Sequence, residues 1–91
     1  MGEVVMDMYS VRDALNADVT LIDQGGSATA LGNEVKVHDR EGEVVARLQL
    51  TPTGDVCMYD GEGFFGSAPW DFRDSMMEEA IGAVIESGLS R

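Results

Sequence analysis

The clearest pattern in the chain is a strict alternation of apolar and polar residues between positions 34 and 50. A period of two is typical of β-strands that bury one face. Residues 34–39 and 43–50 both show it, and residues 56–59 continue it after a turn at 51–55. The predicted inward residues are Val35, Val37, Val44, Ala46, Leu48 and Leu50, with Val45, Arg47 and Gln49 outward. These segments predict an antiparallel meander.

Helical spacing of apolar residues predicts a helix near the start of the chain. Val4, Met8, Val11 and Leu15 form one stripe. Ser10 and Asp13 resemble a capping box, so the helix is expected to cover at least residues 11–17. In the alternative interpretation, residues 3–8 form an edge strand.

A longer helix is predicted at the other end. Pro69 suits a first helical turn, and Ser75–Glu78 offers an alternative start. Gly88 is the expected stop, with Leu89 folding back onto Val84. The predicted buried face comprises Met76, Met77, Ala80, Ile81, Ala83 and Val84.

The remaining segments complete the predicted order α-β-β-β-β-α. Residues 19–23 are β-branched and predict a short strand, residues 27–33 are ambiguous, and residues 64–67 lead into the last helix. The predicted fold class is α+β: an antiparallel β-meander of three to four strands, with an N-terminal helix and a longer C-terminal helix packed on one face. Residues 1–91 form one acidic domain.

Charge is the unusual feature of the composition. The chain has 17 acidic and six basic residues, a formal net charge of −11, and Lys36 is its single lysine. Such a field repels nucleic acid and anionic membranes and attracts basic surfaces. The single Cys57 suits a reducing compartment, and no apolar run is long enough to span a membrane. We therefore expect a cytoplasmic protein, or one of the host cytoplasm if a phage encodes it.

Candidate catalytic and metal-binding residues are few. His38 is the single histidine and is expected on the polar side of its strand, and no motif links it to Cys57. Asp60 and Glu62 belong to a turn with too few oxygen ligands for a calcium loop. We predict no catalytic residues, no metal site and no cofactor, so the protein is not expected to be an enzyme.

Acidic residues of the last helix supply the candidate binding surface. On a helical wheel five of them fall within an arc of about 140°, opposite the apolar face. Solvated helix faces usually interleave lysine with glutamate, and this face has no lysine. Arg73 falls on the apolar side. The five residues are Asp71, Asp74, Glu78, Glu79 and Glu86.

Four aromatic residues cluster where the last helix begins. Burial in the core is the favoured interpretation for Phe64, Phe65, Trp70 and Phe72. Aromatic rings beside acids also make binding hot spots, and flanking glycines favour a protruding loop at Phe64 and Phe65. We therefore add Glu62, Phe64 and Phe65 to the predicted partner-binding residues.

These features predict an acidic binding protein that occupies a basic, nucleic-acid-binding surface of a partner protein or complex and does not bind nucleic acid or membranes itself. In size and charge it is similar to the DNA-mimic inhibitors of phages and mobile elements, including anti-CRISPR and anti-restriction proteins. The alternative is a housekeeping subunit or adaptor, with homodimerisation open, whose acidity is an adaptation to a salty cytosol. A small enzyme that uses carboxylates without a motif is the third hypothesis.

Overall fold

The computed structural model describes residues 6–89, which form three helices, a 3₁₀ turn and five strands. The first part of the chain contains α1 (Met8–Asn16), α2 (Val19–Asp23), β1 (Ser27–Leu31) and β2 (Glu34–His38). The second contains β3 (Val44–Leu50), β4 (Asp55–Asp60), β5 (Gly63–Pro69), the 3₁₀ turn Trp70–Phe72 and α3 (Arg73–Leu89). The α+β class predicted from the sequence is confirmed, with five strands instead of three to four.

The five strands form one antiparallel sheet in the order of the chain. Val35 pairs with Leu48, Leu48 with Met58, and Met58 with Gly66, which fixes one inward-facing row across four strands. The helices α1 and α3 cover this inner face, and α1 lies over β1 and β2 while α3 lies over β3, β4 and β5. The opposite face, called the open face here, carries Lys36 and Arg47, both exposed.

Helix α1 confirms the predicted apolar stripe; it begins before the predicted minimum range of 11–17 and ends at Asn16, one residue short of that range. Met8, Val11 and Leu15 are buried against the sheet. The N-cap is Asp7, whose carboxylate accepts the Tyr9 N–H at 2.9 Å, so the predicted capping box at Ser10 is not used. Val4, the first residue of the predicted stripe, lies outside the described residues, and the alternative edge strand at 3–8 lies partly outside them.

The predicted strand at 19–23 is wrong, because these residues form α2. Asp18 caps this short helix by accepting the Leu21 N–H at 3.0 Å. Only Leu21 is buried, and Val19 and Ile22 are exposed. A local cap and one buried anchor therefore override the β-propensity of the branched residues.

Two strands extend the meander beyond its predicted length. The ambiguous residues 27–33 supply β1, which pairs with β2 through a two-residue turn at Gly32 and Asn33. Residues 64–67, predicted to lead into the last helix, lie within β5. Gly63 takes a φ of 115° at the start of this strand, a conformation that favours glycine.

A bulge between Val37 and His38 corrects one predicted orientation. Val37 pairs with Ala46 while His38 pairs with Val44, so Val45 is the extra residue of β3. As a result Val44 is exposed and Val45 packs against the core, the reverse of the predicted alternation.

Helix α3 differs from the prediction at both ends. Pro69 ends β5, and the α-helix begins at Arg73 after the 3₁₀ turn. The helix continues through Gly88, and Leu89 is exposed, so the predicted stop is wrong. The apolar face is confirmed: four of its predicted residues are buried (Met76, Ala80, Ile81, Val84) and two are half-buried (Met77, Ala83).

Candidate binding surfaces

The predicted acidic residues at the last helix are all exposed. Asp74, Glu78, Glu79 and Glu86 lie on the helix and Asp71 lies in the 3₁₀ turn before it, and all five side chains are exposed. From the first to the last of the four helical carboxylates the axis rises about 18 Å. These five residues, predicted as partner-binding, form the acidic face.

In the described part of the chain, no ion pair joins a basic side chain to Asp71, Asp74, Glu78 or Glu79. Arg73 is the only basic residue of α3. Its guanidinium donates to the Trp70 carbonyl at 2.9 Å and lies 4.5 Å from the centre of the Trp70 ring. Within residues 6–89 two ion pairs form, Arg12–Asp13 and Arg47–Glu34. Neither involves Asp71, Asp74, Glu78 or Glu79.

Two hollows bring acids of other elements to α3. Asp18, the N-cap of α2, lines a depression of about 170 Å³ together with Asp74 and Glu78. Near the other end of the helix, Glu86 shares a second depression, of about 340 Å³, with Asp60 and Glu62 of the β4–β5 hairpin. The fold thus places the predicted Glu62 beside the acidic face.

Phe64, in contrast, lies on the opposite side of the sheet from α3. It pairs with Tyr59, and their ring centres are 5.6 Å apart in an edge-to-face arrangement. Phe65 is the extra residue of a bulge in β5, because Met58 pairs with Gly66 and Tyr59 with Phe64. The predicted binding residues therefore divide between the acidic face and the strand β5.

The favoured interpretation of the aromatic cluster as core is correct only for Trp70. Trp70 is buried, whereas Phe64 is 62%, Phe65 51% and Phe72 66% exposed. Phe64 pairs with Tyr59 on the outer side of the sheet, Phe65 is the extra residue of the bulge, and Phe72 lies in the 3₁₀ turn, so none of the three rings follows the alternation that buries Met58.

The open face of the sheet contains a row of contacts that sequence reasoning missed. Arg47 forms an ion pair with Glu34 at 3.2 Å, and its guanidinium lies 5.1 Å from the centre of the Tyr59 ring. Tyr59 in turn meets Phe64. The period of two places Arg47 on the outer side of β3, but only the strand register shows which residues it meets.

His38 and Cys57, the histidine and the cysteine considered for nucleophilic catalysis, lie far apart in the structure. The His38 ring bonds to Thr29 Oγ1 at 2.9 Å and to the Gly42 carbonyl at 3.1 Å. Cys57 pairs with Gln49, which pairs with Glu34, so these three residues form one row across the sheet. Glu34 is four residues from His38 on β2, which is about 13 Å along that strand. In the described part of the chain no three His, Cys, Asp or Glu side chains form a metal-binding group.

Comparison with known proteins finds no match: neither a family model, nor a curated protein sequence, nor a solved structure is significantly similar to the chain. Among residues 6–89, no helix is both long enough and apolar enough to cross a membrane. The function is therefore inferred from the exposed surfaces of the protein itself.

Proposed function

We propose that this protein is a non-enzymatic acidic binding protein that occupies a basic, nucleic-acid-binding surface of a partner protein, as a DNA-mimic inhibitor of phage or mobile-element type does. The observation that carries the proposal is the exposed acidic face on α3, a helix whose single base, Arg73, contacts Trp70.

The helical charges lie along one axis, at a wider spacing than the phosphates of DNA. The four helical carboxylates from Asp74 to Glu86 span about 18 Å in three intervals, about 6 Å on average, compared with about 3.4 Å between phosphates along one DNA strand. Asp18 and Glu62 widen the charged surface on either side of the helix. A field of this sign steers a protein towards a groove lined by Arg and Lys and competes there with nucleic acid.

The test is displacement of duplex DNA from candidate restriction endonucleases and CRISPR effector complexes, followed by the anisotropy of a labelled duplex. The native chain is expected to release the duplex from at least one of them. Glu78→Lys with Glu79→Lys is expected to weaken this release by about tenfold or more, because both charges reverse within the acidic face. Both positions lie beyond the first turn of α3, where lysine does not oppose the helix dipole.

The matched control is Glu41→Lys with Glu43→Lys in the β2–β3 turn, which gives the same net charge. This control is expected to change DNA displacement by less than about threefold, the effect of screened long-range charge. Equal losses in both double variants would mean that net charge alone acts. If the native chain displaces DNA from no candidate, or displaces it equally at low and high salt, the proposed function is wrong.

A further inference from the structure

The two edges of the sheet are treated differently by the fold. At β1, the Asn16 side chain acts as a substitute for a neighbouring strand. Its Nδ2 donates to the Ala28 carbonyl at 3.0 Å, and its Oδ1 accepts the Ala28 N–H at 2.8 Å. Helix α1 therefore closes the middle of this edge.

Among the described residues, nothing closes the outer edge of β5 in this way. The main-chain bonds of this strand join it to β4, and within residues 6–89 no side chain or other main-chain group bonds to its outer side. In an antiparallel edge strand, alternate residues direct their N–H and C=O groups away from the sheet, where they can pair with another chain.

The sequence of β5 offers little protection against such pairing. Natural edge strands are usually blocked by charged side chains, by proline or by bulges. β5 contains no charged residue, its proline, Pro69, is the last residue of the strand, and its bulge lies in the first half, at Phe65. The stretch from Gly66 to Ala68 keeps regular pairing with β4.

Exposed aromatic rings mark the same edge. All three phenylalanines of the chain are more than half exposed: Phe64 and Phe65 lie on β5, and Phe72 lies in the turn that follows it. Phenylalanine is usually buried, and aromatic side chains are enriched at the centres of protein interfaces. Both the main chain and the side chains of β5 are therefore available to a partner.

Charge decides which occupant fits. Glu62 directly precedes β5, and Asp71 is the second residue after Pro69, the last residue of the strand. The strand therefore has an acidic residue near each end. A second copy of this chain, added to β5 in either direction, brings acids beside acids and joins two bodies of net charge −11. A segment with Lys or Arg at its ends meets opposite charges instead.

We propose that β5 accepts an extended, basic segment of the partner protein as a sixth strand, with the exposed phenylalanines packing against its apolar residues. This inference rests on the proposed function for the sign of the partner's charge. Main-chain hydrogen bonds along the edge would supply affinity, and the rings and the flanking acids would supply selectivity.

The first test uses an end-blocked octapeptide of alternating Lys and Val. Two octapeptides serve as controls: Lys–Pro keeps the charge but lacks alternate N–H donors, and Glu–Val keeps the strand propensity but reverses the charge. Lys–Val is expected to slow amide exchange at residues 64–68 by about tenfold or more, while the controls do not. Equal binding of Lys–Pro, or slowing confined to α3, would overturn strand addition.

The second test compares two serine-to-lysine changes at the two edges. Ser67→Lys, on β5, is expected to weaken Lys–Val binding about tenfold or more, because edge lysines block strand pairing. Ser27→Lys, on β1, has the same charge and is expected to leave the affinity within about twofold, since that edge does not take the peptide. Both serines are exposed, and a melting curve checks that each variant folds. Equal effects of the two changes would overturn the proposal.

The outcome also separates this inference from the proposed function. If Glu78→Lys with Glu79→Lys leaves DNA displacement intact while Ser67→Lys abolishes peptide binding, the acidic face is not the binding face and strand addition stands. If the α3 variant abolishes displacement while Ser67→Lys changes neither displacement nor peptide binding, strand addition is wrong and the proposed function stands.

Discussion

Ser87 Oγ donates a hydrogen bond of 3.1 Å to Asp39 Oδ2, joining the last turns of α3 to the β2–β3 turn across 48 residues of sequence. Asp39 is the buried acidic residue of the described chain. Its other oxygen accepts the N–H groups of Glu41 and Glu43 at 2.9 and 3.0 Å. The Asp39 carboxylate therefore stabilises the β2–β3 turn and also binds the C-terminal end of α3, the helix that carries the acidic face.

Removing either side chain is expected to destabilise the fold, and the two losses are expected to overlap. Ser87→Ala should lower the free energy of unfolding by about 1 kcal/mol and Asp39→Ala by about 3 kcal/mol, since the latter strands two turn N–H groups. A double-mutant cycle in urea should give a coupling energy of about 1 kcal/mol.

Ser75→Ala is the matched control for this cycle. Its hydroxyl donates to the Phe72 carbonyl at 2.8 Å, but the site is exposed, so a change within about 0.5 kcal/mol is expected. A coupling energy near zero between Asp39 and Ser87 would show that their hydrogen bond does not fasten α3.

The side-chain amide of Asn16 is also expected to stabilise the fold through hydrogen bonds between distant segments. Asn16→Ala removes both bonds to Ala28, and we expect a loss of about 1–2 kcal/mol in the free energy of unfolding together with faster exchange of the Ala28 amide. Urea denaturation and hydrogen exchange measure the two effects.

Asn33→Ala provides the same chemical change at an exposed turn position outside α1. It is expected to cost less than about 0.5 kcal/mol. If the two alanine variants are equally stable, Asn16 does not close the β1 edge, and the contrast between the two edges of the sheet is lost.

Much of the fold follows from local periodicity, and of two errors one has a local cause while the other depends on strand pairing. The alternation around Val35 and Leu48 identifies the central strands because its period is independent of register. The 19–23 segment was predicted wrongly because Asp18 provides a cap whose effect exceeds strand propensity. The inversion at Val45 depends on a bulge, which arises from pairing with β2 and has no signature in β3 alone.

The candidate surfaces were predictable to the extent that they lie on one helix. A helical wheel places Asp74 and Glu78 together because helix geometry alone fixes their relation. The approach of Asp18 to them, and the closing of β1 by Asn16, depend on tertiary packing between distant segments. No sequence pattern in either segment indicates them.

The cap at Asp18 accounts for α2 and is open to a direct test. Asp18→Ala is expected to lower the free energy of unfolding by about 1 kcal/mol, whereas Asp18→Asn, which keeps an accepting oxygen, should stay within about 0.5 kcal/mol of the native chain. The hydrogen exchange of the Leu21 amide should rise in the alanine variant only.

Asp23→Ala at the other end of α2 is the control for loss of an acid from the same helix. An acid at a helix C-terminus opposes the macrodipole, so this change is expected to be neutral or to stabilise by a few tenths, up to about 0.5 kcal/mol. Equal destabilisation by Asp18→Ala and Asp23→Ala would contradict a capping role for Asp18.

The acidic face should reduce the stability of the free protein, which gives a last test independent of any partner. Asp74 and Glu78 are one helical turn apart, and like charges at this spacing cost about 0.2–0.5 kcal/mol. Glu78→Lys replaces that repulsion by an attraction in the favourable order, so it should raise stability by about 0.5–1 kcal/mol in low salt and by less in molar KCl. Glu43→Lys, with the same charge, lacks this helical partner and should stabilise less. Urea denaturation of both variants across a KCl series measures the two changes in the free energy of unfolding. Equal increases in both variants would show that the change in net charge causes the effect and that the helix face does not.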